Sequence, residues 1–177
     1  MIQQWKNNIV TMIYVKEELH KYDINGLWQY HFPEVAATEE QIESVERKLG
    51  YKLDANYRSF LTRANGWKGF YQTVDLFGTE EIVNSSIMKY ANKLLDSLEE
   101  DVIRSSGFLK SELMPIATTL NDKDLFVLTI PTSHKPGIVI WFAGEEIDRF
   151  SDFNEYFLAM IDYNREEIED LKKENSK

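Results

Sequence analysis

His20, His31 and His134 are the only imidazoles in the chain. They fall in a helical stretch, an aromatic loop and a turn, with no spacing that would let them share a metal. There is no cysteine, which excludes a thiolate metal site, a Cys nucleophile and a disulfide framework. Asn121-Asp122-Lys123-Asp124 has the acidic start of a Ca²⁺ loop but lacks the later Gly and closing Glu, so it reads as a turn. Ser105-Ser106-Gly107 reads as a loop with no base beside it, and neither a Gly-x-Ser-x-Gly elbow nor a Gly-rich phosphate loop occurs. Glu39-Glu40, Glu80-Glu81, Glu99-Glu100 and Glu145-Glu146 are adjacent carboxylates. Neighbours in sequence diverge on a helix and point to opposite faces of a strand, so they make poor acid/base dyads. No catalytic residue, metal ligand or cofactor is expected, and the protein is expected not to be an enzyme.

The chemistry that remains is binding. Asp and Glu number 30 against 20 Lys and Arg, a formal charge of −10. Such a field repels nucleic-acid phosphates and attracts a basic protein, but it equally serves solubility. Lys and Arg are dispersed, with no basic stripe among aromatics, so nucleic acid is not an expected partner. Acids gather around the strand-like segments: Asp75, Glu80 and Glu81 in one group, Glu145, Glu146 and Asp148 with Asp152 and Glu155 in another. Asp122 and Asp124 stand in the turn between them. Trp67, Tyr71 and Trp141 are near in sequence, and aromatic anchors inside a charged rim are a frequent form of protein interface. The candidate partner-binding set is therefore Trp67, Tyr71, Asp75, Glu80, Glu81, Asp122, Asp124, Glu145, Glu146 and Asp148. The competing reading makes the aromatics core and the acids solvated.

Hydrophobic period places these residues on elements. Trp5, Ile9, Met12, Ile13 and Leu19 fall on one face of a helix over about 3–22, ended by Asn25-Gly26. An irregular aromatic stretch, Leu27 to Pro33, follows. Thr38 with Gln41 has the form of a capping box opening a second helix, with Ile42, Val45 and Leu49 inward and Gly50 as its stop. Asp54 caps a third, carrying Tyr57, Phe60, Leu61 and Ala64, and Asn65-Gly66 closes it. Strand character covers 67–71 and 74–77, then 113–117, 125–130 and 138–142, with a fourth helix over about 86–99. A last helix, capped by Ser151 or Asp152, bears Phe153, Phe157, Met160, Ile161, Ile168 and Leu171; its outer face carries Glu166, Glu167, Glu169 and Asp170, which anionic lipid would repel.

Hydrophobic residues make up 43% and aromatics 13%, enough for a sizeable core in one unit of 177 residues. No repeat or Pro/Gly/Ser-rich linker divides the chain. No apolar run is long enough to span a bilayer, and the first residues lack the apolar core of an export signal, so the cytoplasm is the expected location. Helices first, then short strands with tight turns, then a helix predict an α+β fold with a mainly antiparallel sheet.

The ordered series Ile42-Glu43, Leu49-Gly50, Leu53, Tyr57, Phe60-Leu61, Asn65-Gly66, Leu76-Phe77 and Glu80 resembles the SUKH superfamily. That superfamily includes the yeast cell-wall-synthesis regulator family and many bacterial immunity proteins. Met114-Pro115-Ile116-Ala117, Asp124-Leu125-Phe126, Ile138-Val139-Ile140-Trp141, Phe150 and Asp152 to Leu158 look like that family's later strands and terminal helix. Asp54-Ala55 departs from the family's usual helix-starting Pro, and Trp67 stands where a small residue is common. The resemblance implies a SUKH-like domain over 35–171, with an added N-terminal helix and aromatic loop over 1–34, a long C-terminal helix and a frayed tail over 172–177. It also implies a bacterial immunity protein, an antitoxin that binds a cognate toxin domain, a nuclease being one kind. The alternative within the same family is a non-enzymatic regulatory scaffold with no toxin partner.

Overall fold

The computed structural model describes the backbone of residues 2–176 and the side chains of residues 4–176; Met1 and Lys177, the ends of the expected N-terminal unit and tail, lie outside the described residues. The chain forms α1 (Ile2–Tyr22), α2 (Glu39–Leu49), α3 (Ala55–Leu61), β1 (Trp67–Tyr71), β2 (Val74–Leu76), α4 (Thr79–Ile82), α5 (Ser86–Ser97), α6 (Glu100–Ser106), a single 3₁₀ turn (Lys110–Glu112), β3 (Leu113–Thr118), β4 (Leu125–Thr129), β5 (Val139–Phe142), β6 (Glu146–Phe150) and α7 (Phe153–Asn175). The six strands pair in sequence order, β1-β2-β3-β4-β5-β6, and every pairing is antiparallel. This is an α+β fold.

Local chemistry sets the element ends. Thr38 accepts from the Gln41 N–H at 3.2 Å, while the Gln41 side chain accepts from the Thr38 N–H at 2.8 Å, a reciprocal capping box at the start of α2. Asp54 accepts from the Asn56 and Tyr57 N–H groups and starts α3 without the usual Pro. Asp152, rather than Ser151, caps α7 through the Glu155 N–H at 2.8 Å. α7 continues through Lys172 to Asn175, beyond the point where the apolar stripe stops at Leu171, and Asn175 donates to the Tyr22 carbonyl at 2.8 Å.

Packing builds one core on two faces of the sheet. β3, β4 and β5 are buried at every position, as strands covered on both sides must be. One face carries α7. Phe157 lies 5.1 Å from Phe70 and Tyr156 lies 5.2 Å from Phe126, centroid to centroid. α1 packs on α7 in the same direction: Trp5 meets Phe153 and Phe157, Lys16 meets Asn164, and Tyr22 meets Asn175. The other face carries α5 against β3 and β4. α3 is tied to the end of β2 by the Tyr57 hydroxyl, which donates to the Phe77 carbonyl at 2.7 Å. The irregular segment before α2 covers the free edge of β1, with the Trp67 indole N–H donating to the His31 carbonyl at 2.8 Å.

Four elements differ from the sequence reading. α4 and the 3₁₀ turn are too short to show a period. α6 is nearly all polar on its surface and buries only Ile103 and Ser106, so no stripe marks it. Ser105-Ser106-Gly107 is accordingly not a loop but the last turn and left-handed cap of α6. β6 is an edge strand whose only buried residue is Phe150, and its Glu-Ile-Asp-Arg run hides it among acidic loops.

Candidate partner-binding face

β1 and β5 are four positions apart in the sheet, so a flat sheet would separate them by ~19 Å at ~4.8 Å per strand. Their side chains nevertheless meet: the Tyr71 and Trp141 rings are 5.9 Å apart, edge to face. The sheet curls around α7, and α7 contributes Tyr163 to the gap, 5.8 Å from Tyr71 and 5.4 Å from Trp141. Phe126 stacks beneath Trp141 at 5.0 Å. Three rings from three elements thus form one floor.

Each ring holds a carboxylate. The Trp141 indole N–H donates to Asp124 Oδ1 at 2.7 Å, the Tyr163 hydroxyl donates to Asp148 Oδ2 at 2.9 Å, and the Tyr71 hydroxyl reaches Glu167 Oε1 at 3.5 Å. Gln72 also donates to Glu167. Asp148 faces this way because it sits opposite Trp141 in the β5–β6 pairing. Asp122, exposed in the β3–β4 turn, adds a further charge beside Asp124.

The electrostatics follow from this crowding. Burial raises the Asp124 carboxyl, the Trp141 N–H opposes that, and the Asp122 charge adds to it. Burial pushes the Tyr163 phenol up to about 12, assisted by its hydrogen bond to Asp148 and the charges of Asp148 and Glu166. Burial and the Glu167 charge likewise hold the Tyr71 phenol well above its ordinary value. At neutral pH the two phenols therefore keep their protons and donate.

Among the described residues, none of Asp122, Asp124, Asp148 and Glu167 has a Lys, Arg or His in ion-pair reach. Some acids elsewhere are ion-paired. Buried Glu46 accepts from Lys52 at 2.7 Å and from Arg58 at 3.2 Å, and Glu146 accepts from Arg149 at 2.7 Å. The result is a cluster of carboxylates without ion-pair partners, held by a set of packed aromatic rings.

Of the residues singled out from sequence, Tyr71, Asp122, Asp124 and Asp148 come together here. Trp67 does not: it is 1% exposed, and its indole N–H is occupied by the His31 carbonyl. Tyr71 and Trp141, each 8% exposed, orient the carboxylates rather than project as anchors. Asp75 accepts from the Gly69 N–H at 2.7 Å and closes the β1–β2 hairpin. Glu81 accepts from the Gly78 N–H at 2.9 Å, with exposed Glu80 beside it near Lys68. Glu145 is exposed in the β5–β6 hairpin, and Glu146 is spent on Arg149. Tyr163 and Glu167 are the members the sequence reading missed. Their i, i+4 spacing on the acidic face of α7 is the signal that links them.

Among the described residues, no group of three or more His, Asp and Glu could hold a metal ion, and no helix is long and apolar enough to cross a membrane. Residues 36–159, more than half of the chain, match the model of the SMI1 / KNR4 family (SUKH-1). A search of curated proteins finds no match.

Proposed function

The chain belongs to the SMI1 / KNR4 family (SUKH-1), and on that premise we propose that it is an immunity protein that binds and neutralises a cognate toxin domain through the carboxylate cluster around Trp141. One observation carries the reading: among the described residues, Asp122, Asp124, Asp148 and Glu167 gather around the same rings with no ion-pair partner, three of them held in place by ring donors. Leaving like charges together is unfavourable to the fold, so the arrangement is more easily understood as meant for a positively charged partner. A nuclease domain fits that chemistry, because its substrate channel must be basic to accept phosphates. Carboxylates fixed before encounter act as phosphate mimics with little ordering cost. On this reading the protein is not an enzyme, its partner is a protein, and it works in the cytoplasm of a bacterium. Of the proposed units, residues 35–171 carry the carboxylate cluster, and α1 of the N-terminal unit packs along α7.

The test is co-expression with the toxin domain encoded beside this chain. Stable co-purification and protection of the host support the reading. Failure to bind or protect against any neighbouring toxin removes it, and favours a regulatory scaffold of the same family.

A further inference from the structure

Lys16, on α1, is the most deeply buried cation among the described residues, at 4% exposure. An ammonium carries three donors. This one makes a single long hydrogen bond, 3.4 Å to Asn164 Oδ1, and lies 5.6 Å from the Tyr30 ring centroid. Asn164 is fixed at that distance, because its amide nitrogen donates to the Met160 carbonyl at 2.7 Å and the Phe70 carbonyl at 3.2 Å. Glu167 on α7 supplies a favourable field but is not in ion-pair contact. Burial consequently lowers the Lys16 pKa to about 8, with Glu167 opposing the shift. Buried charge with so little compensation is rare in a settled core.

Lys16 lines a recess of about 260 Å³. Ile13, Tyr30, Phe32 and Trp67 form its walls, and His20 and His31 stand with Glu17 as its other ionisable groups. The volume is below the ~300–1,000 Å³ of sites for drug-sized molecules, so the occupant must be small. The walls are mainly apolar. A single buried cation suits one negative charge, and Glu17 with Glu167 would repel a dianion such as phosphate.

We infer that this recess binds a small amphipathic monocarboxylate, its carboxylate on the Lys16 ammonium and its apolar body against Ile13, Tyr30, Phe32 and Trp67. Such a ligand supplies the hydrogen bonds that Asn164 leaves unmade. All of its lining except Trp67 precedes the family-matched residues, and the site does not depend on the toxin-binding reading.

The full-length protein is titrated with phenylacetate and hexanoate, and with the neutral phenylacetamide and hexanamide, by calorimetry and by following the Trp67 indole N–H in NMR spectra. One or both acids are expected to bind at millimolar concentrations or below, with the matching amide at least tenfold weaker. Lys16→Met weakens acid binding at least tenfold. Phe32→Ser, at a residue 69% exposed and therefore safe for folding, weakens it several-fold. No binding by either acid, equal binding of acid and amide, or acid binding that neither substitution changes overturns the proposal. No toxin enters these titrations, so their failure leaves the immunity reading untouched.

Discussion

Trp141 on β5 donates its indole N–H to Asp124, at the entry to β4, at 2.7 Å. The bond does two things. It satisfies a half-buried carboxylate, and it fixes that carboxylate beside Asp122. Without the indole N–H the charge would keep its burial and lose its direct donor.

Trp141→Phe should therefore destabilise the protein by about 1–3 kcal/mol, although the ring can still stack on Phe126. Asp124→Asn keeps an acceptor for the indole and removes the partly buried charge, so it should cost less. Urea unfolding of both variants at neutral pH gives the order directly.

Tyr156 is fully buried between α7 and the sheet, and its hydroxyl is the one buried side-chain polar atom without a hydrogen-bond partner among the described residues. Its ring packs against Phe70, Phe126, Phe150 and Phe153. Tyr156→Phe retains those contacts and removes an unsatisfied group, so stability should be unchanged or rise by ~1 kcal/mol. A loss of 2 kcal/mol or more in a denaturant titration would show that the hydroxyl has a partner.

Lys16 makes a pH prediction with a definite sign. Its folded pKa, about 8, lies below its ordinary value of 10.5. Between those values the unfolded chain binds more protons, so this group makes stability rise with pH, and its penalty is full below pH 8. Lys16→Met should be more stable than wild type at pH 7, by up to ~3 kcal/mol, with the difference fading toward pH 10.5. The groups that could confuse the profile are His20, Tyr30, its partner Asp23, and Glu167; subtracting the two proteins' curves removes their shared contribution. Stability measured from pH 6 to 10 checks the sign.

Two glycines separate backbone conformation from packing. Gly66 and Gly107 both have positive φ, +93° and +83°. A Cβ at Gly107 meets open space, whereas one at Gly66 comes 2.6 Å from the Gly78 nitrogen and 2.9 Å from the Leu76 carbonyl oxygen. Gly107→Ala should cost ~1 kcal/mol for the left-handed backbone alone. Gly66→Ala should cost at least ~2 kcal/mol more, because both clashing atoms are backbone. Thermal unfolding of the two variants tests the difference.

Much of the fold was legible in the sequence because its signals are local. Thr38 with Gln41, Asp54 and Asp152 each mark a helix start within a few residues, and Trp5 to Leu19 and Phe153 to Leu171 are long enough to show a period. β6 escaped because an edge strand needs only one buried residue, here Phe150, and its polar alternation looks like a loop. The carboxylate cluster was half legible. Tyr71, Asp122, Asp124 and Asp148 were candidates as aromatics and acids beside the strands. That Tyr163 and Glu167 complete the group depends on the curl of the sheet around α7, a long-range fact with no local signature. Trp67 shows the converse: an aromatic beside acids in sequence, turned inward by its place on β1.

The central claim is tested most directly by the affinity of the full-length protein for the toxin domain encoded beside it, measured at low and moderate salt. The comparison is between wild type, the triple variant Asp124→Asn/Asp148→Asn/Glu167→Gln, and a control triple variant, Glu40→Gln/Glu43→Gln/Asp101→Asn, placed away from the cluster. The cluster variant should bind about tenfold more weakly per carboxylate removed, ~1.4 kcal/mol each, and its affinity should depend less on salt. The control should match wild type. Tight binding by the cluster variant, or an equal loss in the control, would contradict the account.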